Sequence, residues 1–166
     1  MSEQPIRRRA EPEVMDDAAE ARAYAEADFA AVNAAFIARL LELADVVGAD
    51  GPPTRARTVD LGAGPADIPI RLARRRPGWH ITAVDASPAM LKLARDAVEA
   101  AGLGGAIELV LADAKGGSLP PAAYDVVFSN SILHHITDTR AFWVQLRRVA
   151  RPGAMVFLRD LARPDT

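Results

Sequence analysis

The chain has 166 residues, half of them hydrophobic and a quarter charged, with a net charge of −2 and an isoelectric point near 5.9. That length suits one core of ordinary size and is short for two, and the charge balance offers no basic footprint for nucleic acid. The absence of cysteine removes disulfides, thiolate metal sites and a cysteine nucleophile, and no uncharged apolar run is long enough to span a membrane.

Residues 1–14 carry Arg7, Arg8 and Arg9 among prolines and acids and lack the apolar core of a secretion signal. They read as a flexible tail, and a cytoplasmic protein is expected. Residues 15–166 read as one folded unit, with a helical cap over 15–50 and a core over 56–160. Asp17 stands three residues before Glu20, the spacing of a capping box, so a helix starts there. Phe29, Val32, Phe36, Ile37, Leu40, Leu41 and Ala44 then recur at helical steps and predict one apolar face, ended by Gly48 to Pro53. Beyond it, strand-like and helix-like segments alternate: Arg57–Leu61, then Asp67–Arg76; Trp79–Val84, then Pro88–Ala101; and Ile107–Leu111, followed by a loop. Asp125–Ser129, a helix over Asp138–Ala150, and Ala154–Leu158 after an Arg-Pro-Gly turn complete the series. Ser87 before Pro88 reads as an N-cap and first helical residue, with Gly102 closing that helix.

Such alternation predicts an α/β fold of the Rossmann-like, doubly wound kind: about five mostly parallel strands, helices on both faces, and ligands at the carboxyl ends of the strands. Polar residues fall at four consecutive strand tips: Asp60 with Gly62, Asp85, Asp113, and Ser129 with Asn130. Glycines at the first tip let the backbone bend sharply and approach a ligand, and the next helix offers unpaired N–H groups. Asp85 sits at about the spacing of an acid that grips ribose hydroxyls. A phosphate-binding loop is excluded, because no lysine and hydroxyl residue close the turn. A dinucleotide dehydrogenase would want glycine near Asp67 and does not call for Asp60.

These residues resemble the class I S-adenosylmethionine-dependent methyltransferases. Asp60-x-Gly62-x-Gly64 is similar to that family's first motif, Val84-Asp85-Ala86-Ser87-Pro88-x-Met90-Leu91 to its second and Leu111-Ala112-Asp113-Ala114 to its third. Tyr124 through His135 is similar to the fourth, and Arg148 to Gly153 to the element before the fifth strand. Ala66 departs from the pattern, a third glycine being common there. The resemblance implies S-adenosylmethionine as cofactor: Asp60 at its ammonium, the Gly62-Ala63-Gly64 backbone beneath it, Asp85 on both ribose hydroxyls, Ala86 and Met90 beside the adenine, Asp113 and Ala114 at its edge, and Ser129 and Asn130 near the methyl. It implies an enzyme that methylates a small-molecule acceptor without a metal. Ser129-Asn130-Ser131 lacks the Asp/Asn-Pro-Pro-aromatic signature of base amino methylation, which argues against nucleic acid as acceptor.

His134 and His135 are candidate general bases. Adjacent side chains do not share a helical face, so at most one is expected to point into the site. Structural hydrogen bonding is the competing role for both. Tyr24 and Phe29 either cover the cofactor or simply pack. The arginine runs at 74–76 and 147–151 read as solvated helix ends. Eight residues follow Leu158, too few for the antiparallel hairpin that usually completes the family's sheet. Either the sequence is a fragment or minimal form, or another chain completes it, a homodimer or a partner chain being expected at the fifth strand's edge; the alternative function is an S-adenosylmethionine-binding module without activity of its own.

Overall fold

The computed structural model describes residues 14–47 and 54–161. The expected tail, apart from Val14, and the expected helix stop at Gly48–Pro53 lie outside the described residues. Two helices, α1 (Ala18–Glu26) and α2 (Ala30–Val47), precede β1 (Arg57–Leu61), α3 (Asp67–Arg75), β2 (His80–Asp85), α4 (Pro88–Ala100), β3 (Ile107–Leu111), β4 (Tyr124–Asn130), α5 (Thr139–Val149) and β5 (Ala150–Arg159). The strands form one sheet in the order β3-β2-β1-β4-β5, and every pairing is parallel.

Side-chain alternation sorts the strands' residues between two cores. Ile81, Ala83, Val126 and Phe128 face α2, α3 and α4, where Phe36, Leu40, Leu72 and Ala94 are buried. Val59, Leu61, Val84 and Val127 face the other way, against Phe142, Leu146 and Val149 of α5 and against Ile136. With both faces covered, strand tips are the natural place for polar groups.

The helix boundaries follow capping chemistry. The Asp17 carboxylate accepts the Ala19 and Glu20 N–H groups at 2.8 and 2.9 Å, and Ser87 Oγ accepts the Met90 N–H at 3.1 Å with Pro88 at the first helical position. Gly102, at φ +68°, follows the end of α4. Two expectations differ in detail. Phe29 and Val32 are exposed: Phe29 lies just before α2 on the wall of a cavity, and Val32 stands in the first turn of α2 outside the buried cluster formed by Phe36, Ile37, Leu40, Leu41 and Ala44. β5 begins at Ala150, not Ala154: Tyr124 pairs with Ala150 but Val126 with Met155. The Arg-Pro-Gly turn is thus accommodated as an irregularity inside an edge strand, where proline's missing donor is tolerated.

Candidate functional site

The turn after β1 is held from both sides. The Gly62 and Ala63 N–H groups donate to the Val84 carbonyl at 2.8 and 2.9 Å, and the Gly64 N–H donates to Asp85 Oδ2 at 2.8 Å. Gly62 and Gly64 have φ of +83° and +54°, in the left-handed region that favours glycine. A Cβ on Gly62 would stand 2.4 Å from Ile132 Cδ1, so the loop after β4 lies directly on the turn. Ala66, where the sequence departs from glycine, also has a positive φ, +66°, with its methyl fully buried; left-handed backbone there costs about 1–2 kcal/mol relative to glycine.

Two cavities open at this turn and share Tyr24, Gly62, Gly64 and Asn130. The smaller, about 390 Å³, lies under the junction of α1 and α2 and reaches Asp60, Ala63 and Asp67. The larger, about 560 Å³, runs along the tips of β2 and β3 past Asp85, Ala86, Met90, Asp113 and Ala114 to His135. Val14, Met15 and Glu20 form its outer wall, and Ser87 Oγ ties this segment down by donating to the Met15 carbonyl at 2.6 Å.

Asp60 is the electrostatic centre. Its side chain is buried and Oδ1 has no hydrogen-bond partner. Burial drives its carboxyl well above the ordinary carboxylate value, and the Asp85 charge pushes in the same direction. Burial also raises Asp85, opposed by N–H donors from Ser87, Gly64 and Ala86. Tyr24 keeps its phenolic proton to higher pH than usual, first through burial and then through the Asp85 and Asp60 charges. An unsatisfied acceptor in an acidic pocket fits a bound cation: an ammonium at Asp60 would supply the missing donor.

The remaining sequence candidates divide. Asp113 is exposed on the cavity rim, where its carboxylate accepts the Lys115 N–H at 2.8 Å and lies 3.4 Å from Lys115 Nζ. Ser129 lines neither cavity; its hydroxyl donates to the Leu61 carbonyl at 2.6 Å and ties β4 to β1. The histidine rings lie 4.0 Å apart. His135 is on the larger cavity's wall, whereas His134 Nδ1 is 2.6 Å from Asp160 Oδ1 and is not on either wall. Reading the sequence missed the contributions of Arg159, which bonds Asn130, and of Asn33 and Arg71, which both donate to Asp67 Oδ2, at 2.8 and 2.7 Å. The signal for Arg159 was its position at a fifth strand tip; side chains that bind each other across 34 residues, as Asn33 and Asp67 do, leave no local pattern.

The family described as "methyltransferase domain" matches residues 59–158, most of the chain. The chain belongs to that family. Its cofactor is S-adenosylmethionine. An uncharacterized methyltransferase of Mycobacterium tuberculosis is 35% identical over 107 residues, which cover 64% of this chain and 51% of that protein. The chain spans about half the length of such curated relatives. Among solved structures, a putative S-adenosyl-L-methionine-dependent methyltransferase from Methanococcus maripaludis superposes with a TM-score of 0.76 at 20% identity, covering 95% of this chain and 66% of that one, a likeness of fold. Phosphoethanolamine N-methyltransferase 2 of Haemonchus contortus, solved with S-adenosyl-L-methionine, gives a TM-score of 0.65 at 26% identity over 78% of this chain and 27% of its own.

Proposed function

We propose that this chain binds S-adenosylmethionine across the two cavities and transfers its methyl group to a small-molecule acceptor. The observation that carries the reading is the buried, unpartnered Asp60 Oδ1 beside a glycine turn whose Gly64 N–H is already fixed by Asp85. In this reading Asp60 takes the methionine ammonium, the Gly62-Ala63-Gly64 backbone passes beneath it and Asp85 accepts from the ribose hydroxyls. Ala86 and Met90 flank the adenine, with Asp113 and Ala114 at its edge. Asn130 borders the methionine part near the transferred methyl, and Ser129 supports it from behind. When bound, the cofactor supplies a methyl already activated on a positively charged sulfur. The protein's task is therefore alignment of nucleophile, methyl and leaving sulfur, with a base where the nucleophile must lose a proton. His135, on the cavity wall, is the candidate base; His134, held by Asp160, orients the loop. A small acceptor accords with the Haemonchus relative's phosphoethanolamine and with the net negative charge, and the reading includes a cytoplasmic location. No helix among the described residues is long and apolar enough to cross a membrane.

Calorimetry with S-adenosylmethionine, S-adenosylhomocysteine and NAD tests the binding, and mass analysis after incubation with methyl-labelled cofactor and a metabolite pool tests transfer. Binding of NAD in place of the sulfonium compound would overturn the assignment. With an acceptor in hand, His135→Ala should lose activity and His134→Ala should lose less; equal full activity in both removes the base.

A second reading rests on β5, whose outer edge pairs with no strand among the described residues and where Val156 is exposed. In it the chain is a cofactor-binding module completed by a second copy or a partner chain at that edge. Light scattering at micromolar concentration separates the readings: a persistent monomer with a protected Val156 amide in hydrogen exchange excludes the association.

A further inference from the structure

Arg159 ends β5 and spends every branch of its guanidinium. Nε donates to Asn130 Oδ1 at 3.0 Å, both terminal nitrogens donate to the Val32 carbonyl at 3.1 Å, and the group lies 5.0 Å from the centre of the Phe36 ring. Arginine has no acceptor atom, so the branch of the Asn130 amide that meets it must be the carbonyl oxygen. The amine is then the other branch. Asn130 borders both cavities, and extending the Asp60 to Phe128 register by two residues sets it abreast of Gly62, next to the turn that carries Asp60.

The walls of the smaller cavity hold Asp28, Asp60 and Asp67 against a single cation, Arg71, which is already paired with Asp67. A ligand carboxylate entering there meets like charge and must be met by fixed donors. An α-amino acid end asks for both an acceptor for its ammonium and a donor for its carboxylate. We propose that Arg159 is a positioning residue: it locks the Asn130 amide with its amine toward the cavity, where that amine hydrogen-bonds the carboxylate of the cofactor's methionine end. The inference rests on the cavity being the S-adenosylmethionine site. The same guanidinium holds the first turn of α2, which borders the cavity through Ala30 and Asn33, with Phe29 just before it. One side chain therefore sets both the amide's orientation and the position of the helix above it.

The test compares S-adenosylhomocysteine with its decarboxylated analogue, identical except that hydrogen replaces the carboxylate, by calorimetry on the full chain. The wild-type protein should prefer S-adenosylhomocysteine by about tenfold. Asn130→Asp, which keeps the shape and the bond to Arg159 but removes the donor, should abolish the preference. Arg159→Leu should reduce it at least threefold while changing the analogue's affinity less than twofold, and Arg159→Lys, which restores a donor to Asn130 Oδ1, should recover most of it. Thermal melts confirm that each variant is folded. An unchanged preference in Asn130→Asp and Arg159→Leu overturns the inference and leaves the cofactor site standing. Equal weakening of both ligands in Arg159→Leu also overturns it, since it shows a structural staple only. Failure of the wild-type protein to bind either ligand overturns the cofactor site and this inference together.

Discussion

Asp60→Asn should move stability and affinity in opposite directions. Asp60 is 2% exposed and its Oδ1 has no partner, so the ligand-free protein holds a buried carboxyl that is costly to ionise and leaves part of its hydrogen-bonding capacity unused. Asparagine keeps the shape and removes the charge, so the ligand-free variant should be more stable at neutral pH. The pH dependence follows from the raised folded-state value. Between the unfolded value, near 4, and the raised folded value, the native state binds more protons than the unfolded one. Wild-type stability therefore falls as pH rises through that window. The advantage of Asp60→Asn should be absent in acid, grow through the window and then level off. For binding, the loss is one charge-assisted hydrogen bond, about 1.5–3 kcal/mol, or roughly a 10- to 150-fold weaker S-adenosylhomocysteine. Ionised Asp60 is the form that pairs with ammonium, so wild-type affinity should fall as pH drops through the raised value, with proton release on binding just below it. Denaturant melts at several pH values and calorimetry in buffers of different ionisation enthalpy measure both effects. A ligand-free variant less stable than wild type at pH 7.5, or one with unchanged affinity, would refute the placement of the ammonium at this carboxylate.

Gly62→Ala combines left-handed backbone with a Cβ 2.4 Å from Ile132 Cδ1, so it should destabilise by about 2–4 kcal/mol. Because the clash is with the end of a side chain, Ile132→Val in the same molecule should return about 1 kcal/mol of that in a double-mutant cycle; additive effects would show that the loop already yields. Ser87→Ala removes an N-cap and the tie to Met15 together. It should cost about 1 kcal/mol in a urea melt and speed proteolysis near residue 15, and an unchanged cleavage rate would dispose of the tie. Asp85→Ala should weaken S-adenosylhomocysteine by about 2 kcal/mol and adenosine by a similar amount, since the ribose is common to both; a loss confined to S-adenosylhomocysteine would contradict the ribose assignment.

Much of the fold was legible because its signals are local. Asp17 with Glu20, Ser87 with Pro88, and short apolar strands between helical stretches each fix an element within a few residues. The strand tips were legible for a global reason, since a parallel sheet covered on both faces leaves its ends as the place for polar chemistry. What escaped the sequence depends on direction and distance. Ser129 and Asn130 are neighbours on one strand, yet the first points back to Leu61 and the second borders the cavities. Alternation says that they differ and does not say which one is buried behind the site. His134 and His135 pose the same problem, resolved by Asp160 lying 26 residues away. The exposure of Phe29 and Val32 could not be foreseen either, because helical periodicity records which side chains share a face and not where along that face the buried core begins.

The order β3-β2-β1-β4-β5 has a kinetic consequence. Residues 57–111 supply three adjacent strands from one continuous stretch of chain, whereas β4 and β5 must dock on the far side of β1, closing a longer loop. The seam between β1 and β4 lies beneath the point where the two cavities meet, so the pocket is whole only once the second half has docked. A ligand spanning the seam binds the native state alone and stabilises it by mass action. If docking of the second half limits the folding rate, contacts to the ligand form after that step, and such contacts slow unfolding while leaving the folding rate nearly unchanged. Bound cofactor would then act as a clasp, lengthening the lifetime of the assembled sheet without hastening its formation.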